Sequence, residues 1–373
     1  MFILFLLSSV IFSVIINGPY IDNLSNNSAF FRFTTYKPTI SWFGWGEFPK
    51  CDKYITFLPF KNDHTINLYG LKSDTKYCYS IFLPLENSTY SYFASSSTFS
   101  TFMDESKSIY SFIVYSNTAL NTDEENKKIA SLILSSHTEI NFVINLGNFL
   151  KKDNNDFIFP LEFGDIAKIF PIYTVLGSNE YKFFDGGLLL NEYRKMRGFS
   201  KNGVSPHYYY VDISNSRLIF LDRNPKIKNS LSLKKGSKQY NWLKEVLSFS
   251  KSKKWIFVLL NEPIYPSFNI EKNSDIEELF VKYHVDFVFQ NGENYLRTKK
   301  IKYGIESDDG IFYVNIGKII TDASNQYNQI DDGTIDCLYN KKGLLKVSIE
   351  DKKIVLDYLD LDGNFIDKFV YSK

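Results

Sequence analysis

The rhythm of apolar positions changes near residue 103. Between residues 29 and 102 they come in short runs, at 29–34, 39–43, 54–59, 64–69, 76–83 and 97–102, separated by turn-forming residues. Short runs of that kind between turn signals read as strands, and six of them in close succession predict an antiparallel β-sandwich. The polar stretch 103–108 (Met-Asp-Glu-Ser-Lys-Ser) then reads as a linker. Beyond it an apolar strand at 109–115 is followed by helical spacing over 122–135, with Asp123, Glu124 and Glu125 in the first turn, where the helix dipole favours them. A strand at 141–146 ends on Gly147. Strand, helix, strand at this spacing is a βαβ unit and implies a sheet with parallel strands. Strands at 171–176, 208–211, 217–222, 255–260 and 286–289, helices at 236–250 and 276–283, and three alternating strands over 343–371 extend the pattern. The strand at 286–289 runs into Asn291-Gly292, a strong turn signal. In an α/β sheet, chemistry sits just past the carboxyl end of such a strand.

Composition narrows the class. With 373 residues, 44% apolar and 17% aromatic, the chain has room for two domains and a large core. Lys and Arg number 43 against 42 Asp and Glu, so no global charge points to nucleic acid or an anionic membrane. Residues 2–16 are almost wholly apolar but shorter than the roughly 20 needed to span a bilayer. They read as a secretory signal peptide, residues 1–17, rather than a membrane anchor. With no later transmembrane segment, the mature chain is expected outside the cell or in the lumen of the secretory or lysosomal pathway. Asn23, Asn26 and Asn87 open N-glycosylation triplets in keeping with that compartment. Cys51 and Cys78 lie in the same small domain and are either a disulfide or two buried thiols, and Cys337 reads as a core residue.

Residues 286–298, DFVFQNGENYLRT, resemble the last motif of the purple acid phosphatase-like metallophosphoesterases of the calcineurin-like superfamily, DLVFSGHDHNYERT, with one residue deleted. Aligned on Asn294, Tyr295, Arg297 and Thr298, the two family histidines fall on Asn291 and Glu293. Residues 64–81, with the Gly70-Leu71 turn followed by Tyr77 and Tyr79, resemble the fibronectin type III-like domain at the family's amino terminus. The resemblance implies a fibronectin type III-like β-sandwich over 18–103, a linker at 104–108, and an α/β metallophosphoesterase domain of two packed β-sheets flanked by helices over 109–373.

The same resemblance implies a site built on five loops that hold two metal ions, iron with zinc, manganese or a second iron. Here every loop departs from the family. Ser116-Asn117 stands for Gly-Asp, and Gly147-Asn148 stands for the Gly-Asp whose aspartate bridges the metals. Gly177-Ser178-Asn179-Glu180 replaces Gly-Asn-His-Glu and puts Asn179 at the general-acid position. Asn261 opens the His-x-Pro-x-Tyr loop as Asn261-Glu262-Pro263-Ile264-Tyr265, and Gln290-Asn291-Gly292-Glu293 stands for Gly-His-x-His. The degenerate ligand positions are therefore Asn117, Asn148, Ser178, Asn261, Asn291 and Glu293. Two divalent cations about 3.5–4 Å apart repel unless anions lie between and around them. Asparagine keeps the shape of aspartate without its charge, and it is a poor substitute for imidazole toward zinc, iron or manganese. The four histidines, His64, His137, His207 and His284, lie outside these loops, and His207, before the tyrosine run, reads as packing.

The expectation is a pseudo-phosphatase with no cofactor and an unidentified protein or glycan partner. Two alternatives stand beside it: an acid phosphatase or phosphodiesterase with unusual ligands, and a carbohydrate or cell-surface binding module. The amides of the cleft, with Glu180 and Glu293, are either a remnant pocket or a site for one calcium ion or a sugar.

Overall fold

The computed structural model describes residues 14–52, 54–85, 91–153, 156–158, 163–181, 207–224, 233–265, 275–292, 294–317 and 335–373. Two compact units divide them: one holds the described residues to Phe102 with Ala167–Pro171, the other Met103–Ile166 and Ile172–Lys373.

The first unit is built from β1 (Ile15–Leu24), β2 (Ser28–Glu47), β3 (Tyr54–Tyr69), β4 (Lys76–Pro84) and β5 (Ser91–Ser100), all paired antiparallel. The strands are fewer and longer than the runs predicted. Residues 29–34 and 39–43 belong to one strand, as do 54–59 and 64–69. Register shifts between Thr34 and Thr39 and on to Ser41 bend β2 around Pro38 without ending it, since proline removes a ladder donor and is tolerated at bulges. The bend is sharp. Phe31 and Phe43, about 40 Å apart along a straight strand, bring their ring centroids to 5.2 Å, and Phe31 also meets Tyr79 and Phe99. The two halves of β2 thus face each other over an aromatic core. β5 starts at Ser91 rather than 97 because its serine run carries no apolar alternation to betray it. β1 begins at Ile15, inside the stretch expected as a leader; most of that stretch lies outside the described residues.

Cys51 and Cys78 form a disulfide with their Cα atoms 5.6 Å apart. Gly46 is opposite Cys78, and a Cβ there would lie 2.9 Å from Cys51 Cα, so only glycine admits the crossing chain. Of the glycosylation candidates, Asn23 lies on β1 and Asn26 in the following turn, both half-buried, while Asn87 lies outside the described residues.

The second unit runs β6 (Ile109–Tyr115), α1 (Asp123–Ser135), β7 (Phe142–Asn145), a small ribbon of β8 (Lys151–Asp153) and β9 (Asp156–Ile158), the start of α2 (Gly164–Ile169, whose residues from Ala167 group with the first unit), β10 (Ile172–Thr174), α3 (Ser178–Tyr181), β11 (Tyr209–Ile213), β12 (Ser216–Phe220), α4 (Lys238–Ser248), β13 (Trp255–Leu260), α5 (Asp275–Lys282) and β14 (Phe287–Gly292). It continues through β15 (Tyr295–Thr298), the short pair β16 (Ile301–Lys302) and β17 (Ile305–Glu306), β18 (Phe312–Gly317), β19 (Ile335–Tyr339), β20 (Gly343–Glu350), β21 (Lys353–Asp360) and β22 (Phe365–Ser372). Two sheets result, ordered β10-β7-β6-β20-β21-β22 and β11-β12-β13-β14-β18-β15-β19. Phe112 of the first meets Phe257 and Phe289 of the second, so the sheets pack face to face through aromatic rings. Along β13 the alternate residues Ile256, Val258 and Leu260 turn the other way and pack with Leu243 and Leu247 of α4 and Leu279 and Phe280 of α5. Thr122 and Glu125 form a capping box that starts α1, a local contribution of about 1 kcal/mol.

Two expectations are corrected here. Asn291-Gly292 is no turn: β14 continues through it, with Asn291 opposite Ile316 and Gly292 opposite Gly317 on β18. Glycine serves there for close approach, because a Cβ on Gly292 would lie 2.8 Å from Asn315 Cβ. Cys337 is half-buried on β19 rather than in the core, with its thiol 3.4 Å from Asp367 Oδ2, and burial pushes that thiol up to about 12.

Candidate functional site

The parallel strands β6, β7 and β10 of one sheet, and β12, β13, β14 and β18 of the other, end on the same side of the second unit. Ser116 Oγ, just past β6, donates to the Ile316 carbonyl on β18 and ties the two sets of strand ends together (3.0 Å). Asn117, two residues past β6, and Asn148, three past β7, both adopt the left-handed conformation, at φ 62° and 57°. That region is costly for most residues and tolerated by Asn and Asp. The turn places both side chains in one buried cluster.

Their polarity is fixed by a backbone donor. The Asn179 N–H donates to Asn148 Oδ1 (2.9 Å), and the Ser178 hydroxyl does so at 3.3 Å. The Asn148 amide nitrogen must then face the other way, and it donates to Asn117 Oδ1 (2.8 Å). Asn117 and Asn291 exchange a reciprocal pair: Asn117 Nδ2 donates to Asn291 Oδ1 (2.6 Å), and Asn291 Nδ2 donates to Asn117 Oδ1 (3.0 Å). Amides from three strand ends thus satisfy one another. Asn261 stands at the edge of the cluster, its amide donating to the Leu146 carbonyl. A Cβ on Gly147 would come within 2.6 Å of Asn261 Nδ2, and one on Gly177 within 2.5 Å of the Asn148 N. Both glycines are required for the loops to meet.

Glu180 supports the cluster from below. Oε2 accepts the N–H groups of Asn148 (2.9 Å) and Gly177 (2.7 Å), and Oε1 those of Phe149 (2.9 Å) and Leu150 (3.0 Å). Burial pushes its carboxyl above the ordinary range against the pull of these donors. Beside it, Tyr181 and His207 Nδ1 both bond Asp222 Oδ2, the latter at 2.9 Å, and all three are buried. His207, expected as packing, is therefore the partner of a buried carboxylate. Gln290, on β14, accepts from the Ile264 N–H (2.9 Å) and donates to Asn315 Oδ1 (2.6 Å), bracing the fourth loop. Sequence reasoning missed Asn315 along with its strand; the signal was a lone amide in the apolar run Phe-Tyr-Val-Asn-Ile-Gly.

The structure therefore brings together Asn117, Asn148, Ser178, Asn179 and Asn291, with Asn261 adjoining, while Glu293 lies outside the described residues. Asn179 is 9% exposed, and its Oδ1 is buried with no hydrogen-bond partner. A pair of divalent ions does not fit the described residues of this cluster. The side-chain oxygens of Asn117, Asn148 and Asn291 are turned onto neighbouring N–H and hydroxyl groups, the amide side chains are neutral, and the one carboxylate, Glu180, is spent on backbone donors. Among the described residues no three His, Cys, Asp or Glu side chains gather as a metal-holding group.

No protein-family model matches the sequence, and no curated protein matches it. Solved structures do. The chain resembles a purple acid phosphatase from yellow lupin (Lupinus luteus) seeds with a TM-score of 0.76 at 16% identity, over 96% of this chain and 74% of that one. It resembles PhoD at 0.70 and 9% identity, over 95% and 89%. A third similarity, 0.52 at 16% identity over 71% and 89%, is to GAP50, the anchor in the inner membrane complex of Plasmodium. The fold is that of the purple acid phosphatase-like metallophosphoesterases, with its α/β domain of packed sheets. At these identities the likeness concerns the fold alone.

Proposed function

We propose that this protein is a secreted pseudo-phosphatase, a metallophosphoesterase scaffold whose dinuclear site has become a self-satisfied amide cluster, with a binding or structural role. The observation that carries the reading is Asn117 Oδ1, which accepts from both Asn148 and Asn291. Aspartates at 117 and 148 would set anionic oxygens at hydrogen-bond distance, an arrangement that metal cations offset and that amides replace by direct bonding. Asn179, where the family carries its general acid, has no proton to give a leaving group. Export rests on the apolar leader expected over 1–17, the Cys51–Cys78 disulfide, and the Asn23, Asn26 and Asn87 triplets. The first unit, five antiparallel strands folded over an aromatic core, is assigned as the fibronectin type III-like domain.

The test is metal analysis of the purified chain together with hydrolysis of an aryl phosphate across pH with added Mn, Zn or Fe. The expected result is no stoichiometric metal and no turnover above solvent. Stoichiometric metal with turnover would favour the reading as an active phosphatase with unusual ligands.

A further inference from the structure

Four aromatic rings stand in one cross-strand row on the outward face of the first unit. Trp42 lies opposite Phe57 of β3 on one side and Phe82 of β4 on the other, and Phe82 lies opposite Phe93 of β5. Directly opposed residues of antiparallel strands share a face, so a line of rings crosses four strands. Trp42 and Phe57 meet edge to face at 6.3 Å, Phe82 and Phe93 at 5.9 Å. Phe57 and Phe93 are 58% and 57% exposed, and Trp42 and Phe82 are half-buried. The sequence neighbours Leu58, Phe43 and Ile81 already fill the inner face, so the outer row is surplus to the core. The next row on this face runs from Ile55 on β3 through Gly44, Ser80 and Ser96, so beside the β2, β4 and β5 rings the floor is low and hydroxyl-bearing. Neither row carries a charged side chain.

Size and charge select the occupant. Three inter-strand spacings make the row about 14 Å long, and one row to either side makes the face roughly 200 Å². That is about a quarter of the ~800 Å² each partner contributes to a stable protein interface. An anionic membrane calls for lysines and arginines that these rows lack. A slender, uncharged, polyhydroxylated chain fits: its C–H faces stack on the rings and its hydroxyls meet serines. We propose that this face binds a neutral glycan. The proposal goes beyond the pseudo-phosphatase reading and does not rest on it.

Native gels of the full chain cast with mannan, laminarin or hydroxyethyl cellulose test it, with titration of the matching neutral oligosaccharide for Kd. Retardation by at least one polymer is expected, unchanged by EDTA. Trp42→Ala and Phe93→Ala should each weaken binding tenfold or more, as for stacked aromatic anchors. Phe93 is exposed enough for its removal to spare the fold, which an unchanged thermal midpoint would verify. Tyr69→Ala, at another exposed aromatic (62%) opposite Ser28, should leave binding intact. Retardation by none of the polymers, or retardation indifferent to both substitutions, overturns the proposal. So does a wild-type dimer that dissociates on Trp42→Ala, or capture by phosphatidylcholine vesicles that both substitutions abolish. Hydrolytic activity in the wild type would leave the proposal standing, so the two readings fail separately.

Discussion

Asn148→Asp tests whether the amide cluster is built to exist without cations. The Asn148 Oδ1 already accepts from the Asn179 N–H and the Ser178 hydroxyl, and a carboxylate would keep both bonds. On the other side the donor to Asn117 Oδ1 disappears, and an anionic oxygen faces a carbonyl oxygen at about the former 2.8 Å. Asn148 is 5% exposed, so water cannot relax the encounter. A buried charge left without its partner costs about 3–5 kcal/mol, and the two surviving donors place the estimate near the lower end, about 3 kcal/mol. For a unit of this size that lowers the melting midpoint by roughly 6–12 °C. Scanning calorimetry at pH 7.5 in chelator reads it directly, with Asn148→Ala separating lost bonds from added charge. The deficit of Asn148→Asp should shrink as the pH falls toward 4, where the new carboxyl takes up a proton. An unchanged or raised midpoint at pH 7.5 would mean that the site already compensates an anion, and the reasoning from amide pairing would fail.

Glu180→Gln keeps one acceptor oxygen where the structure uses two, so two of the four backbone donors at Asn148, Gly177, Phe149 and Leu150 are stranded. At about 1.5–3 kcal/mol for each bond to a charged group, chemical denaturation should show a loss of roughly 3–6 kcal/mol, and a loss below 1 kcal/mol would contradict the role given to this carboxylate. Cys51→Ser opens a loop with a sequence separation of 27; loop-closure entropy puts the cost at about 3.5 kcal/mol, measurable as a fall in urea midpoint that reductant reproduces in the wild type. Burial, followed by the charge of Lys61, lowers His64 from 6.5 to about 4. The unfolded chain therefore binds a proton that the folded chain refuses, and stability complete above pH 6.5 is lost as the pH falls toward 4. Urea midpoints of the first unit at pH 7.5, 6 and 5 should decline, and His64→Phe should flatten the decline; a flat wild-type profile would count against it.

Much of the second unit was legible because most of its longer strands announce themselves locally, while β15, β18 and β19 escaped. Residues 109–115 form β6 as predicted, and Thr122 and Glu125 state the start of α1 in the sequence itself. The first unit was less legible, since a bent strand keeps its period of two through a proline and cannot be told from two short strands by pattern. Of the site, the residues that gather there, Asn117, Asn148, Ser178, Asn179 and Asn291, could be named from motif alignment. Which amide donates to which was not, because it depends on the left-handed turns at Asn117 and Asn148 and on a backbone N–H at Asn179. Asn291-Gly292 misled for a related reason. The same dipeptide serves a turn or a close strand pairing, and only the neighbour across the sheet, Asn315, decides.

The residues that carried the family likeness turn out to share a physical character. Tyr295 donates to Asp367 (2.7 Å), and Arg297 grips Asp367 and Asp336 while stacking on Phe369. Thr298 Oγ1 accepts from the Tyr313 N–H (3.0 Å), Tyr265 donates to Glu277 (2.8 Å), and Glu180 gathers four loop amides. Each ties one strand end or loop to another, so its loss would be felt by the fold whatever the cleft contains. Asn117, Asn148 and Asn291, by contrast, spend their side chains on one another, where an amide takes the space of a carboxylate without moving the backbone. The contacts that tie the loops together and the amides that fill the cleft thus belong to separable sets of side chains, so Asn148→Asp can change the charge of the cleft while the ties through Tyr295, Arg297 and Glu180 stay in place.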